Sequence, residues 1–274
     1  PRKGGLVSMP DKTELYLLTE TSPFMMGFVF ITRENHAVVI DGGRAEDVPL
    51  LLKQIGGRRV RAWFLTHPHD DHIDAFIDII KNHRDEVDID AVYYHFPPAA
   101  FISKHEHYEV HTISAFCGIE PMIADIRHVV RMGDVIEVDE VRFEILFQFN
   151  PIFQSNAVND SSIVIKAITP NKTVLFLGDL GPEAGDELLR LQGDNLKADL
   201  VQMAHHGHMC VSSDVYMMVK PEACLWCAPG WLYEEKPDFI RERMYGTKMT
   251  RMWMDRMGVK THYVTKDGTQ RIEL

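Results

Sequence analysis

From His67 to His72 the chain reads His67-Pro68-His69-Asp70-Asp71-His72, three imidazoles and two carboxylates directly after the apolar run Ala62-Trp63-Phe64-Leu65. That is more ligand capacity than a solvated turn needs, and it falls where a buried strand would end. Pro68 fixes its own φ and pushes His67 toward extended geometry, so His67 and His69 point the same way, as alternate residues of an extended segment do. One cation thereby receives two imidazoles. Asp71 and His72 open a helix, because Ile73, Phe76, Ile77 and Ile80 recur on one helical face, and they turn toward a second cation nearby. Two divalent ions sharing a bridging hydroxide form a site for hydrolysis: one lowers the pKa of the water, and the pair clamps the attacking and leaving oxygens. A lone His-x-His would read as a surface turn, but the added Asp-His pair shifts the reading to metal.

Two later stretches repeat the arrangement of an apolar strand that delivers polar chemistry at its end. Thr173-Val-Leu-Phe-Leu-Gly-Asp179 ends in a carboxylate that either bridges both cations or caps the following helix, and beside the His67 stretch the bridge is the reading adopted. Ala198-Asp-Leu-Val-Gln-Met leads into Ala204-His205-His206-Gly207-His208, where Gly207 permits close backbone approach.

His67-x-His69-x-Asp71-His72 after an apolar strand resembles the His-x-His-x-Asp-His signature of the metallo-β-lactamase fold superfamily. The resemblance runs from roughly Leu15 to Leu274 and leaves residues 1–14 as an N-terminal extension. The later motifs are similar to the branch that holds the metallo-hydrolase domain of the competence proteins ComEC and Rec2 and the bacterial phosphorylcholine esterases. The resemblance implies an α/β fold, a four-layer αβ/βα sandwich with mixed sheets, and a dinuclear site at the sheet edge. His67, His69 and Asp179 would hold one ion, and Asp71, His72, His206 and Asp179 the other. A metal-bound hydroxide would attack phosphorus or a carbonyl carbon, with Asp71 and His205 as the catalytic pair.

His205 would contact the oxyanion or protonate the leaving group, and the roles of His205 and His206 are interchangeable at this stage. Asp41, in the turn Asp41-Gly42-Gly43, would orient the metal loop by hydrogen bonds. Many relatives carry a further metal-binding histidine soon after the strands that precede Asn150. The stretch Asn150-Pro-Ile-Phe-Gln-Ser-Asn-Ala-Val-Asn159-Asp160-Ser-Ser has none. Asn159 and Asp160 then become neighbours of the site, and the ion on His67 and His69 keeps an open coordination position. His69 stands where oxygen- and nitric-oxide-reducing di-iron relatives carry Glu, which favours zinc, or else manganese, over redox iron.

The elements that position these residues alternate strand and helix. Glu14 to Thr19, Phe28 to Ile31 and Ala37 to Ile40 read as strands, and Val48, Leu51, Leu52 and Ile55 mark a short amphipathic helix before Gly56-Gly57. Asp90 to His95 is a further strand. The segment Phe96 to Pro121 reads as a lid or substrate wall, with Tyr93, Tyr94 or Phe101 facing the pocket; its His105, His107 and His111 are expected to be solvated. Val135 to Val138 and Val141 to Phe149 form a meander, Glu183 to Leu191 and Val215 to Val219 helices, the latter capped by Ser212 or Ser213, and Pro237 to Met257 a Met- and Arg-rich helix. Asp267-Gly268 predicts a hairpin between two C-terminal strands. Trp231 and Tyr233 are candidate substrate contacts.

Composition bounds the partners. With 274 residues, 45% of them hydrophobic, one sizeable domain is expected. A net charge of −11 argues against a partner gripped through many phosphates, so the expected partner is a small molecule rather than long nucleic acid. The sequence has no apolar run of membrane-spanning length, and Cys117, Cys210, Cys224 and Cys227 read as thiols of a reducing cytoplasm, although the first residue is not Met and a trimmed leader is compatible with that. The expected function is a dinuclear-metal hydrolase of a small phosphodiester. A lactone or carboxyl-ester hydrolase, a nuclease and a non-catalytic metal-stabilised binding module are the alternatives.

Overall fold

The continuous apolar runs of this sequence become strands covered on both faces. A computed structural model describes residues 11–21, 23–235 and 246–274. Its strands, in chain order, are β1 (Glu14–Leu17), β2 (Gly27–Ile31), β3 (Ala37–Asp41), β4 (Val60–Phe64), β5 (Val92–Tyr94), β6 (Arg127–Val129), β7 (Val135–Val138), β8 (Val141–Phe147), β9 (Val164–Ile168), β10 (Thr173–Phe176), β11 (Leu200–Gln202), β12 (Ala223–Trp226), β13 (Thr261–Val264) and β14 (Gln270–Glu273). The helices are α1 (Val48–Ile55), α2 (Asp70–Asn82), α3 (Ala99–His105), α4 (Val110–Ile119), α5 (Pro182–Gln192), α6 (Ser213–Val219), α7 (Gly230–Tyr233) and α8 (Thr247–Met257). Two seven-stranded mixed sheets result, ordered β14-β1-β2-β3-β4-β5-β6 and β13-β12-β11-β10-β9-β8-β7.

The sheets face each other across a core that includes Phe28, Phe30, Phe64, Phe143 and Phe176. Phe28 meets Phe176 edge-on at 4.9 Å, and Phe30 meets Phe143 edge-on at 5.5 Å. Such pairs add to the roughly 1.5–3 kcal/mol that burying each aromatic side chain contributes. On the outer face of the first sheet, Val39 and Trp63 pack under Leu51 and Ile55 of α1 and Phe76 and Ile80 of α2. On the outer face of the second, Val201 and Trp226 pack under Leu188 of α5, Val215 of α6 and Met254 of α8. The layering is helix, sheet, sheet, helix, the expected sandwich.

Strands β3 to β6 run parallel to one another, as do β10 to β13. Their C-terminal ends therefore reach the same edge of each sheet, which in open α/β sheets is where sites form. Asp41 ends β3, and the segment 66–72, Asp179 and the 204–207 turn follow the ends of β4, β10 and β11.

The C-terminal hairpin does not form. β13 lies parallel to β12 in the second sheet, while β14 pairs antiparallel with β1 in the first, so the short helical turn Thr265–Asp267 and Gly268 carry the chain across the sandwich. β12 takes β13 as its parallel neighbour, and β14 fills the edge of β1 opposite β2. The hairpin Val138-Asp-Glu-Val141 does form, between β7 and β8. Segment 96–121 folds as α3 and α4, which pack beside α2 through Ile102, Ile113 and Phe116. Tyr94 points into that packing, edge-on to Phe116 and bonded to Glu120, and Tyr93 stacks on Phe64, so neither is aimed at the 66–72 segment. The first half of the expected Pro237 to Met257 helix falls largely on residues outside those described, and α8 is its described part. Cys117, Cys210, Cys224 and Cys227 are unpaired, and burial pushes the Cys224 thiol up to about 12. Among the described residues no helix is long and apolar enough to cross a membrane.

Candidate metal centre

The 66–72 loop is held by a buried carboxylate. Asp41 Oδ1 accepts the Thr66 backbone N–H at 2.7 Å, while Oδ2 accepts the Thr66 hydroxyl and His72 Nδ1–H, each at 2.8 Å. With Nδ1 anchored, His72 presents Nε2 to the cluster. His206 is set in the same way from the other sheet: its Nδ1–H donates to the Cys227 carbonyl at 2.8 Å, and Nε2 faces inward. An imidazole anchored at one nitrogen and open at the other is the arrangement of a metal-ligating histidine.

These open nitrogens converge on two buried carboxylates. Asp179 Oδ2 lies 3.3 Å from His72 Nε2, 3.6 Å from His206 Nε2 and 3.9 Å from both His67 Nε2 and His205 Nε2. Asp71 Oδ2 lies 3.0 Å from His206 Nε2, without the alignment of a hydrogen bond, and 3.8 Å from His72 Nε2, beyond hydrogen-bond reach. His72 Nε2, His206 Nε2 and Asp179 Oδ1 are buried without any hydrogen-bond partner, which buried polar atoms rarely are. Among the described residues two triples of mutually close donors stand out, His67, His72 and Asp179, and Asp71, His72 and His206. His72 belongs to both, a sharing that differs from the expected division of ligands. His69 is outside the triples, and its Nδ1 faces His67 Nε2 at 3.0 Å with the two rings at 76° to each other.

The electrostatics call for positive charge. Burial pushes the Asp179 and Asp71 carboxyls up, but the neighbouring imidazoles, His72 foremost, outweigh it and hold both well below the usual carboxylate range. Burial pushes His72 down, but Asp179, Asp71 and Asp41 more than reverse it and raise the imidazole well above its ordinary value. His206 is raised for the same reason. Burial lowers His67 and His205, and brings His208 to about 3. Protons on His72 and His206 would thus supply the charge that the carboxylates demand. Divalent cations supply it as well and displace those protons, so the donor set fits them.

His205 lies against His208, with ring centroids 4.1 Å apart and the rings tilted by 37°, and its Nε2 is 3.9 Å from Asp179 Oδ2. Asp160 lies behind the site: its Oδ1 accepts the Gly181 N–H at 2.8 Å, which steadies the loop after Asp179, and Asn159 bonds Asn156. Asp179 caps no helix, since α5 starts at Pro182 with Gly181 in the cap position. Ser212 does occupy the cap position of α6, but its hydroxyl bonds Asp186. No donor triple among the described residues includes His105, His107 or His111. Trp231 lies against Phe24, which stands edge-on to His206 at 5.0 Å, whereas Tyr233 packs on Trp226.

Several residues that support the site carry no mark in the 66–72 motif. Gln202 accepts the N–H groups of Leu177 and Gly178 and donates to the carbonyls of Gly178 and Met203, a clamp on the turn that carries Asp179. Its signal was there to read: an amide inside an apolar strand must find partners. Ser162 Oγ accepts the Asp179 N–H at 3.0 Å, and Arg44 pairs with Asp70 at the rim. Asp41, His205 and His206 all have positive φ, at 57°, 50° and 56°. Left-handed backbone in non-glycine residues costs roughly 1–2 kcal/mol each and concentrates where function over-determines geometry.

The model of one family, described as the metallo-beta-lactamase superfamily, matches residues 28–209. No curated protein matches the sequence significantly. Among solved structures, the metallo-beta-lactamase fold protein YhfI from Bacillus subtilis is 12% identical at a TM-score of 0.59, over 96% of this chain and 100% of that one. A diphosphatase from the PhnP family is 13% identical at 0.52, over 96% and 98%. Zinc-bound PqqB from Methylobacterium extorquens is 10% identical at 0.56, over 96% and 100%. Identities this low speak to the fold.

Proposed function

The chain belongs to the metallo-beta-lactamase superfamily, and from that premise we propose that it is a dinuclear-metal-dependent hydrolase acting on a small phosphodiester. The observation that carries this reading is Asp179, whose one oxygen faces His67, His72 and His206 while the other is buried without a partner. A carboxylate so placed would contribute to holding both cations. In this reading His67, His69 and Asp179 hold one ion, and Asp71, His72, His206 and Asp179 hold the other, zinc first and manganese second. Bound there, the ions would supply Lewis acidity and acidify water at neutral pH.

The chain's own residues do the rest. Asp41 and the Cys227 carbonyl fix which nitrogen of His72 and of His206 faces inward. His205 is kept below its ordinary pKa by burial, and as a neutral imidazole it donates an N–H to a phosphoryl oxygen. Phe24 and Trp231 form an apolar wall beside His206, with Arg44 over the Phe24 ring. The phosphodiester substrate rests on the likeness of the His205-His206-Gly207 turn and the histidine-free Asn150 to Ser162 segment to the ComEC-like branch. The net charge of −11 supports a small substrate over long nucleic acid.

The test is metal content per chain by elemental mass spectrometry, paired with turnover of bis-p-nitrophenyl phosphate before and after chelation. Two metals per chain, and turnover that chelation abolishes and zinc or manganese restores, are the expected results. One metal or none, with no turnover after metal is restored, would overturn the reading.

A further inference from the structure

The ion assigned to His67 and His69 lacks the further histidine that many relatives place after the strands preceding Asn150, and the structure brings a carboxylate to that side of the site. Glu109 ends the short helical turn His107–Glu109 between α3 and α4, and its Oε2 lies 3.7 Å from His69 Nε2. This is an ion-pair distance rather than a hydrogen bond. The opposite nitrogen of the same ring, Nδ1, is the one that faces His67 Nε2 at 3.0 Å. His69 thus has Nδ1 toward the cluster, within hydrogen-bond distance of His67, and Nε2 toward a carboxylate that stands farther off than the 2.8 Å acceptors of His72 and His206.

The turn is anchored. Glu106, at its start, is buried, and its Oε2 accepts the Val158 backbone N–H at 2.6 Å. Val158 belongs to the histidine-free segment itself. Ile102, Ile113 and Phe116 bury the two helices that flank the turn. The 96–121 segment is thus tied, by a buried charge-assisted bond, to the stretch that contributes no histidine.

We infer that Glu109 is a positioning residue for the first cation: its carboxylate holds the Nε2 proton of His69, which leaves Nδ1 to the metal and strengthens that nitrogen as a donor. A carboxylate behind a ligating imidazole sets its tautomer and orientation and raises its basicity, and removing one weakens metal affinity by roughly 10- to 100-fold. The inference rests on the metal-centre reading above.

The experiment measures zinc affinity by chelator competition in the full chain and in Glu109→Ala, Glu109→Gln and Glu109→Asp, each alone and in a His69→Ala background. Glu109→Ala is expected to loosen one of two ions by about 10- to 100-fold and leave the other unchanged. Glu109→Gln should fall between, because the amide oxygen still accepts the proton but carries no charge, and Glu109→Asp should recover part of the affinity. In the His69→Ala background Glu109→Ala should add nothing, since the two act as one unit. Unchanged affinities in Glu109→Ala, or an undiminished effect without His69, would overturn the inference and leave the dinuclear reading standing. A wild-type chain that holds one metal ion or none and shows no turnover after metal is restored would overturn that reading, and this inference with it.

Discussion

Replacing Asp179 with Asn should release metal and lower phosphodiester turnover by about three orders of magnitude. That size follows from the several kcal/mol of transition-state stabilisation that a Lewis-acid cation supplies, at about 1.4 kcal/mol per decade of rate. The change is nearly isosteric, so packing is spared. What disappears is the charge of a buried carboxylate that faces His67, His72, His205 and His206 within 3.9 Å. A ligand that binds only the folded state adds stability, about 4 kcal/mol at a thousandfold excess over its dissociation constant. The wild-type chain should therefore melt at a higher temperature when zinc is added, and Asp179→Asn should lose most of that shift. Elemental analysis, turnover and thermal unfolding with and without zinc check this together. Two retained ions and unchanged turnover would remove Asp179 from the bridge.

The second large effect is expected at Gly207. Its φ is +90°, and a Cβ built there would lie 2.4 Å from Trp226 Cζ3 and 2.7 Å from Cε3. The indole cannot step aside: Trp226 is fully buried, donates Nε1–H to His262 at 3.0 Å and meets Tyr233 edge-on. Gly207→Ala should destabilise the chain by roughly 2–5 kcal/mol, combining left-handed strain with overpacking. It should also turn His206 away from the Cys227 carbonyl. Gly57→Ala is the control, because Gly57 has φ +71° and a Cβ added there would meet nothing within 4 Å, so only the strain applies, about 1–2 kcal/mol. Denaturant midpoints compared at equal m-values separate the two. Equal losses would mean that the Trp226 contact yields easily.

Much of the candidate site was legible because its signals are local. Apolar strands ending in His67-Pro-His69-Asp-Asp71-His72, in Gly178-Asp179 and in His205-His206-Gly207 announce themselves within a few residues, and the β7–β8 turn did likewise. The C-terminal Asp267-Gly268 misled for the same local reason. Such a dipeptide favours a tight turn, but whether the next strand returns beside its predecessor depends on which sheet edge is free, and here β14 completes the first sheet at β1.

Sequence alone determined the donor types, their places after strand ends and the α/β layering, since side-chain chemistry and the periodicity of apolar residues belong to short stretches of chain. Tertiary structure decided the rest. That His72 joins both donor triples, that His206 rather than His205 faces Asp71, that Asp160 braces the Asp179 loop, and that Glu109 arrives beside His69 are distances between segments tens to more than a hundred residues apart. Those distances are set by strand order, by which face of each sheet is buried, and by left-handed backbone at Asp41, His205 and His206, none of which a local pattern encodes.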